Sequence, residues 1–182
     1  MDSRKSVDPE LIRKCQRGSP EAFDELYDSF GDAVWRICSR MAGNTADAED
    51  LAQDVWITVW RQIGSFRCES AFYTWLYRVA SNVCLQWLRR AGGKADLPIE
   101  ESSCEASPGP EQQVIRQESL DRTESALMSL PEPLRLPLVL RVEEEMSYAE
   151  IAQVLDCTTS AVKMRICRAR TALANALKEE EP

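Results

Sequence analysis

Three groups of side chains have types and spacings that suit a binding surface better than a reaction centre. The first is Asp47, Asp50 and Asp54, with Glu49 and Gln53 alongside. Spacings of three and four residues put them on one side of a helix. Carboxylates in a first turn also complement the helix dipole. Such a strip is either a solvated face or an acidic docking surface for a basic partner. The second group is Trp75, Arg78, Asn82 and Arg89, again at helical spacing. It suits unstacked nucleobases: the ring stacks, arginine holds phosphate, and asparagine reads a base edge. Stacking on such a platform contributes about 1–3 kcal/mol per base. The plain alternative packs Trp75 against the preceding helix. The third group, Thr159, Ser160, Lys163, Met164, Cys167, Arg168 and Arg170, shares the outer face of one helix.

Helices must position all three. Asp8-Pro9 and Ser19-Pro20 each place a capping residue before a proline at the first helical position. After Ser19, Phe23, Leu26, Tyr27, Phe30, Val34, Ile37 and Met41 recur at core spacing, and Gly43 fits the stop. Thr45 can cap a helix over about Ala46–Ile63, with Ala52, Trp56, Val59, Trp60 and Ile63 inward. A loop from Gly64 to Ser70 leads to a helix ending near Arg90, with a core stripe of Phe72, Leu76, Val79, Val83 and Trp87. Farther on, Ser147 and Glu150 form a capping box before Ile151, Val154 and Leu155. Asp156-Cys157 turns, and Thr158 can cap a helix with Val162, Ile166, Ala169, Leu173 and Leu177 inward. Two short helices, a tight turn and a basic outer face make a helix-turn-helix whose second helix enters a DNA major groove. A plain helical hairpin shares part of this pattern.

The chain has 182 residues, and strand-like alternation is missing, so it reads as all-α. Glycines and prolines interspersed with glutamates between Gly92 and about Gln113 predict a flexible acidic tether between two lobes. The formal charge is −8, which argues against tight DNA binding by bulk charge. Yet residues 61–90 carry +4 and residues 147–178 carry +3, so DNA contact that depends on a partner is expected. There is no histidine, which removes the commonest general base and metal ligand. Without a glycine-rich phosphate loop or metal-ligand spacing either, no catalytic residue, metal or cofactor is expected, and an all-helical hydrolase is disfavoured. The seven cysteines form no C-x-x-C pair, so reduced thiols are expected instead of a disulfide framework or zinc site. No run of 18 apolar residues occurs and the start lacks an apolar leader, which predicts a soluble, cytoplasmic protein.

These segments resemble the extracytoplasmic-function group of bacterial sigma factors. Asp47-Ala-Glu-Asp-Leu-Ala-Gln-Asp-Val55 is similar to the region 2 helix that docks on the polymerase clamp. The stretch from Ser65 to Asn82 resembles the segment that opens and reads the −10 element. Leu130-Pro-Glu-Pro, Ser147-Tyr-Ala-Glu-Ile-Ala152 and Val162–Arg170 resemble region 4, which reads the −35 element.

The resemblance implies two small helical domains, a region 2 bundle over 8–92 and a region 4 helix-turn-helix over 118–178, joined by a linker over 93–117. It implies that Asp47, Glu49, Asp50, Gln53 and Asp54 contact core RNA polymerase, with the clamp region and flap as docking points. Phe66, Arg67, Ser70, Tyr73, Trp75, Arg78 and Asn82 would surround the melted −10 strand, Asn82 at the flipped-base pocket. On the −35 duplex, Lys163, Met164, Cys167 and Arg168 would face base edges. Thr158, Thr159 and Ser160 would hold phosphate at the helix N-terminus, and Arg165 and Arg170 the backbone. An anti-sigma factor is the implied further partner, with no membrane insertion of the chain itself.

Three residues depart from the family pattern. Cys68 stands where glycine is usual, Asp156 replaces a common turn glycine, and Pro137 should kink a helix ending near Val142 or shift its start. Met164 and Cys167 imply largely apolar readout, for example against thymine methyls. The competing reading is a stand-alone helix-turn-helix repressor or activator, which predicts a dimerisation element and palindromic half-sites.

Overall fold

The computed structural model describes residues 7–68, 70–90 and 117–179. The expected linker lies outside these residues except for Gln117, which opens a helix. Every regular element among the described residues is helical. The chain forms two compact units, one centred on helices α1 to α4 and the other on α5 to α8.

In the N-terminal unit α1 spans Pro9–Gln16, α2 Pro20–Ala42, α3 Thr45–Gln62 and α4 Phe72–Arg90. The caps at Asp8 and Ser19 form as expected: the Glu10 amide donates to Asp8 Oδ1 at 2.8 Å and the Ala22 amide to Ser19 Oγ at 3.3 Å. Helix α1 closes with the Ser19 amide bonded back to the Lys14 carbonyl at 3.1 Å and the Gly18 amide to the Cys15 carbonyl at 2.9 Å. This double closure needs a left-handed residue, and Gly18 supplies it at φ +82°. Arg17 and Arg13 beside Glu10 hold its carboxyl below the usual range.

The α3 cap is Asn44, not Thr45. Asn44 is extended and accepts the Asp47 amide at 2.9 Å, while its own amide group donates to the Asp47 carboxylate at 2.7 Å. The inward side of α3 is also rotated from expectation. Ala48, Leu51, Val55, Trp56 and Val59 are buried, whereas Trp60 is exposed. Ile63 leaves the helix for a 3-10 turn over Ile63–Ser65. Helix α2 packs against α3 and α4, α3 against α4, and α1 against α2. Their shared core holds Leu26, Ile37, Met41, Leu51, Val55 and Leu76. Each such side chain contributes about 1.5–3 kcal/mol through burial. On α4 the buried stripe runs through Phe72, Leu76, Ala80 and Cys84, leaving Val83 and Trp87 half-buried.

In the C-terminal unit α5 spans Gln117–Ser129, α6 Glu132–Val142, α7 Tyr148–Leu155 and α8 Thr159–Glu179. Helices α5 and α6 pack on α8. Pro137 does not displace the start of α6, which lies at Glu132 with Pro137 buried inside the helix. The Pro131 carbonyl starts the helix by accepting the Leu134 and Arg135 amides at 2.9 and 3.0 Å. Pro137 forfeits one interior hydrogen bond, and the surrounding apolar core accommodates its ring.

Candidate nucleic-acid and partner interfaces

On α3, Glu49, Asp50, Gln53 and Asp54 are exposed and face outward together. Asp47 is half-buried and engaged with Asn44, so it also serves the cap. Beside the strip, α2 and α3 enclose a groove of about 430 Å³ lined by Tyr27, Trp35, Glu49, Ala52, Gln53, Trp56 and Ile57. Tyr27, Trp35 and Ile57 are 50%, 36% and 46% exposed. The acidic strip therefore borders apolar surface. Sequence periodicity put Tyr27 and Trp60 in the core, and both lie outside it. Trp35 and Ile57 fall off the core stripes of their helices and are exposed too.

Arg78, Asn82 and Arg89 are exposed on α4, and Trp75 is half-buried. The Trp75 ring packs on Phe66 of the preceding loop and on Phe72 of its own helix, with centroids 5.4 and 5.5 Å apart. Phe66 and Tyr73 are each only 7% exposed in the chain on its own. Phe66 sits edge-on to Phe72 at 5.5 Å, and Tyr73 lies 6.1 Å from Tyr77. Arg67, Cys68 and Ser70 project from the loop. Cys68 adopts φ +58°, the left-handed conformation its usual glycine counterpart would take freely. For a residue with a side chain this costs about 1–2 kcal/mol.

The helix-turn-helix is built as expected. The Ser147 amide donates to Glu150 Oε2 at 2.7 Å, and the Glu150 amide to Ser147 Oγ at 3.2 Å. Asp156 at φ +51° lets the Cys157 amide close back on the Ala152 carbonyl at 3.0 Å. Thr158 Oγ1 then accepts the Ala161 amide at 3.1 Å to begin α8.

Val162, Ile166 and Ala169 are buried beneath α8, while Thr158, Thr159, Ser160, Lys163 and Arg170 are exposed. Met164, Arg165, Cys167 and Arg168 are half-buried at the flanks. Arg165 turns back toward the Cys157 sulfur, 3.9 Å away. The Tyr148 ring meets the Arg141 guanidinium at 5.2 Å and the Lys163 ammonium at 6.0 Å, two cation–π contacts that steady Lys163 from below. Cys15, Cys38, Cys68, Cys84 and Cys157 stand outside any disulfide.

Residues 26–93 match the family profile described as Sigma-70 region 2, and residues 120–173 match Sigma-70, region 4. The chain is 34% identical over 181 residues to the RNA polymerase sigma-H factor of Pseudomonas aeruginosa, covering 94% of each. It is also 34% identical over 183 residues to the ECF RNA polymerase sigma-E factor of Escherichia coli K12, covering 95% of each. Among solved structures, CnrH in complex with the cytosolic domain of CnrY superposes with a TM-score of 0.72 at 25% identity. That match covers 97% of this chain and 100% of CnrH. Two profile matches in family order, with relatives aligned along nearly the whole length, place the chain in the extracytoplasmic-function group of sigma-70 family RNA polymerase sigma factors.

Proposed function

We propose that the chain binds core RNA polymerase, brings it to promoters by reading −35 and −10 elements, and helps open the −10 region. The carrying observation is that one short chain holds two complementary surfaces. One unit presents a helix-turn-helix with Lys163 and Arg170 outward, and the other an exposed Arg78–Asn82 stripe beyond an aromatic cluster. A duplex reader and a single-strand reader in one chain suit a factor that both locates and melts a site. Extruding a base costs a few kcal/mol, which pocket contacts and the polymerase offset together.

In this reading Asp47, Glu49, Asp50, Gln53 and Asp54 dock on the polymerase clamp, with the Tyr27–Ile57 groove receiving apolar side chains. The C-terminal unit engages the flap. Arg67, Ser70, Trp75, Arg78 and Asn82 contact the −10 strand, with Phe66 and Tyr73 supporting them from within. Thr158, Thr159, Ser160, Lys163, Met164, Arg165, Cys167, Arg168 and Arg170 contact the −35 duplex. The segment over 93–117 tethers domains spanning 8–92 and 118–178. The protein acts by binding, without a catalytic residue, in the cytoplasm where polymerase works. Among the described residues no helix is long and apolar enough to cross a membrane. An anti-sigma factor covering the polymerase-docking surface is the proposed inhibitory partner, in keeping with a structural relative solved bound to another protein's cytosolic domain.

Co-purification with core RNA polymerase, followed by run-off transcription over genomic fragments, tests this reading. Polymerase binding with new start sites supports it. A footprint from the protein alone, without polymerase binding, would establish the stand-alone regulator, which the relatives along the whole chain do not favour.

A further inference from the structure

The loop carrying Arg67, Cys68 and Ser70 is fixed by a residue far away in sequence. Gln16, the last residue of α1, donates through its side-chain Nε2 to the Phe66 carbonyl at 2.8 Å and to the Ile63 carbonyl at 3.1 Å. An amide group has two hydrogens, so one nitrogen can serve both acceptors. Ile63 and Phe66 bracket the 3-10 turn after α3, where carbonyls run out of intrahelical partners. The Phe66 amide closes the same turn by donating to the Ile63 carbonyl at 3.1 Å. Gln16 is itself held by Leu11, Ile12 and Cys15, which bury α1 against the unit, and by the double closure at Gly18.

The other end of the loop is equally fixed. The Ala71 carbonyl accepts the Thr74 and Trp75 amides at 3.1 and 3.3 Å, and the buried Phe66 and Phe72 rings meet across the loop's base. Arg67, Cys68 and Ser70 therefore lie between two anchored points, and Cys68 adopts a left-handed conformation. We propose that Gln16 is a positioning residue for −10 recognition, holding the base-reading loop in the register that presents Arg67 and Ser70. The inference rests on the sigma-factor reading above. Gln16 touches no DNA in it, and acts through the Ile63 and Phe66 carbonyls.

The test compares wild type with Gln16→Glu and Gln16→Ala in full-length chain reconstituted with core polymerase. Gln16→Glu keeps the side-chain shape but removes both donors and sets a carboxylate against two carbonyls. Gln16→Lys restores a donor with the necessary reach. Promoter templates altered one base at a time in the −10 and −35 elements give selectivity ratios. Hydrogen exchange of amides in residues 64–70 reports the loop directly, without polymerase.

Gln16→Glu and Gln16→Ala are expected to lose at least about fivefold in −10 selectivity, the scale of one lost hydrogen bond. Their −35 selectivity and polymerase affinity should stay at wild-type values, exchange in 64–70 should quicken, and Gln16→Lys should recover both. Unchanged −10 selectivity, or an equal loss on every template, would overturn the assignment while leaving the sigma-factor reading intact. Global unfolding of all three variants, seen as exchange throughout the unit, would reduce Gln16 to a structural residue and also overturn it. Failure of the wild-type chain to direct polymerase to any start site would instead remove the sigma-factor reading, and this inference with it.

Discussion

Tyr27 of α2 and Trp56 of α3 meet with ring centroids 4.9 Å apart and planes tilted by 52°. Trp56 is buried, whereas half of Tyr27 stays open to solvent. The pair is thus where the core of the N-terminal unit emerges into the groove beside the acidic strip. Core and surface roles should separate here on mutation. Trp56→Ala is expected to destabilise the fold by about 3–5 kcal/mol. Ile57→Asp on the exposed rim should shift stability by only about 0.5 kcal/mol. It should nevertheless weaken core polymerase binding about tenfold, as loss of an interface anchor does. Thermal unfolding read beside polymerase titration distinguishes the two, and tight binding by Ile57→Asp would remove the groove from the docking surface.

Reversing charge on the strip addresses the polar half of that surface. Asp50 and Asp54 are exposed on α3. Asp50→Arg with Asp54→Arg is expected to abolish polymerase-dependent transcription while circular dichroism stays native. Normal transcription by the double variant would show that polymerase docks elsewhere.

Salt dependence provides the test for the C-terminal unit. Lys163 is exposed and Arg168 half-buried on α8. Converting both to alanine should weaken binding to a −35 duplex and lower the slope of log affinity against log salt, because two cations leave the contact. Polymerase binding should persist. An unchanged slope would assign DNA contact to other side chains.

Thiol reactivity should follow burial. Cys68 is exposed, whereas Cys15, Cys38 and Cys84 are buried. Burial also pushes the Cys15 thiol above its ordinary pKa, keeping it protonated and unreactive at neutral pH. Mass spectrometry after brief alkylation should find Cys68 modified before Cys15, Cys38 and Cys84, which react only once denaturant opens the unit. Early labelling at Cys15 would mean that α1 detaches readily, which would also undermine its hold on the loop.

Features that depend on near neighbours were legible in the sequence. Asp8, Ser19, Thr158 and the Ser147–Glu150 pair all cap as their spacing requires, because a cap is decided within three residues. Asn44 displaced Thr45 as the α3 cap by local competition between adjacent residues of similar capping ability. The α3 face turned because Leu51 and Val55 fill the space facing α2 better than Ala52 and Trp60, a matter of tertiary packing. Phe66 and Tyr73 lie inside for the same reason, since an aromatic near a binding stripe fits either side of the surface. The Gln16 contacts span 47 and 50 residues, so no local pattern carries them.

Helix α8 keeps Val162, Ile166 and Ala169 against α5 and α6 while turning Lys163 and Arg170 outward on the same rod. Frame and address are therefore written on opposite sides of one element. A duplicated copy of this chain can drift toward a different set of genes through outward substitutions alone, retaining the scaffold that holds the helix.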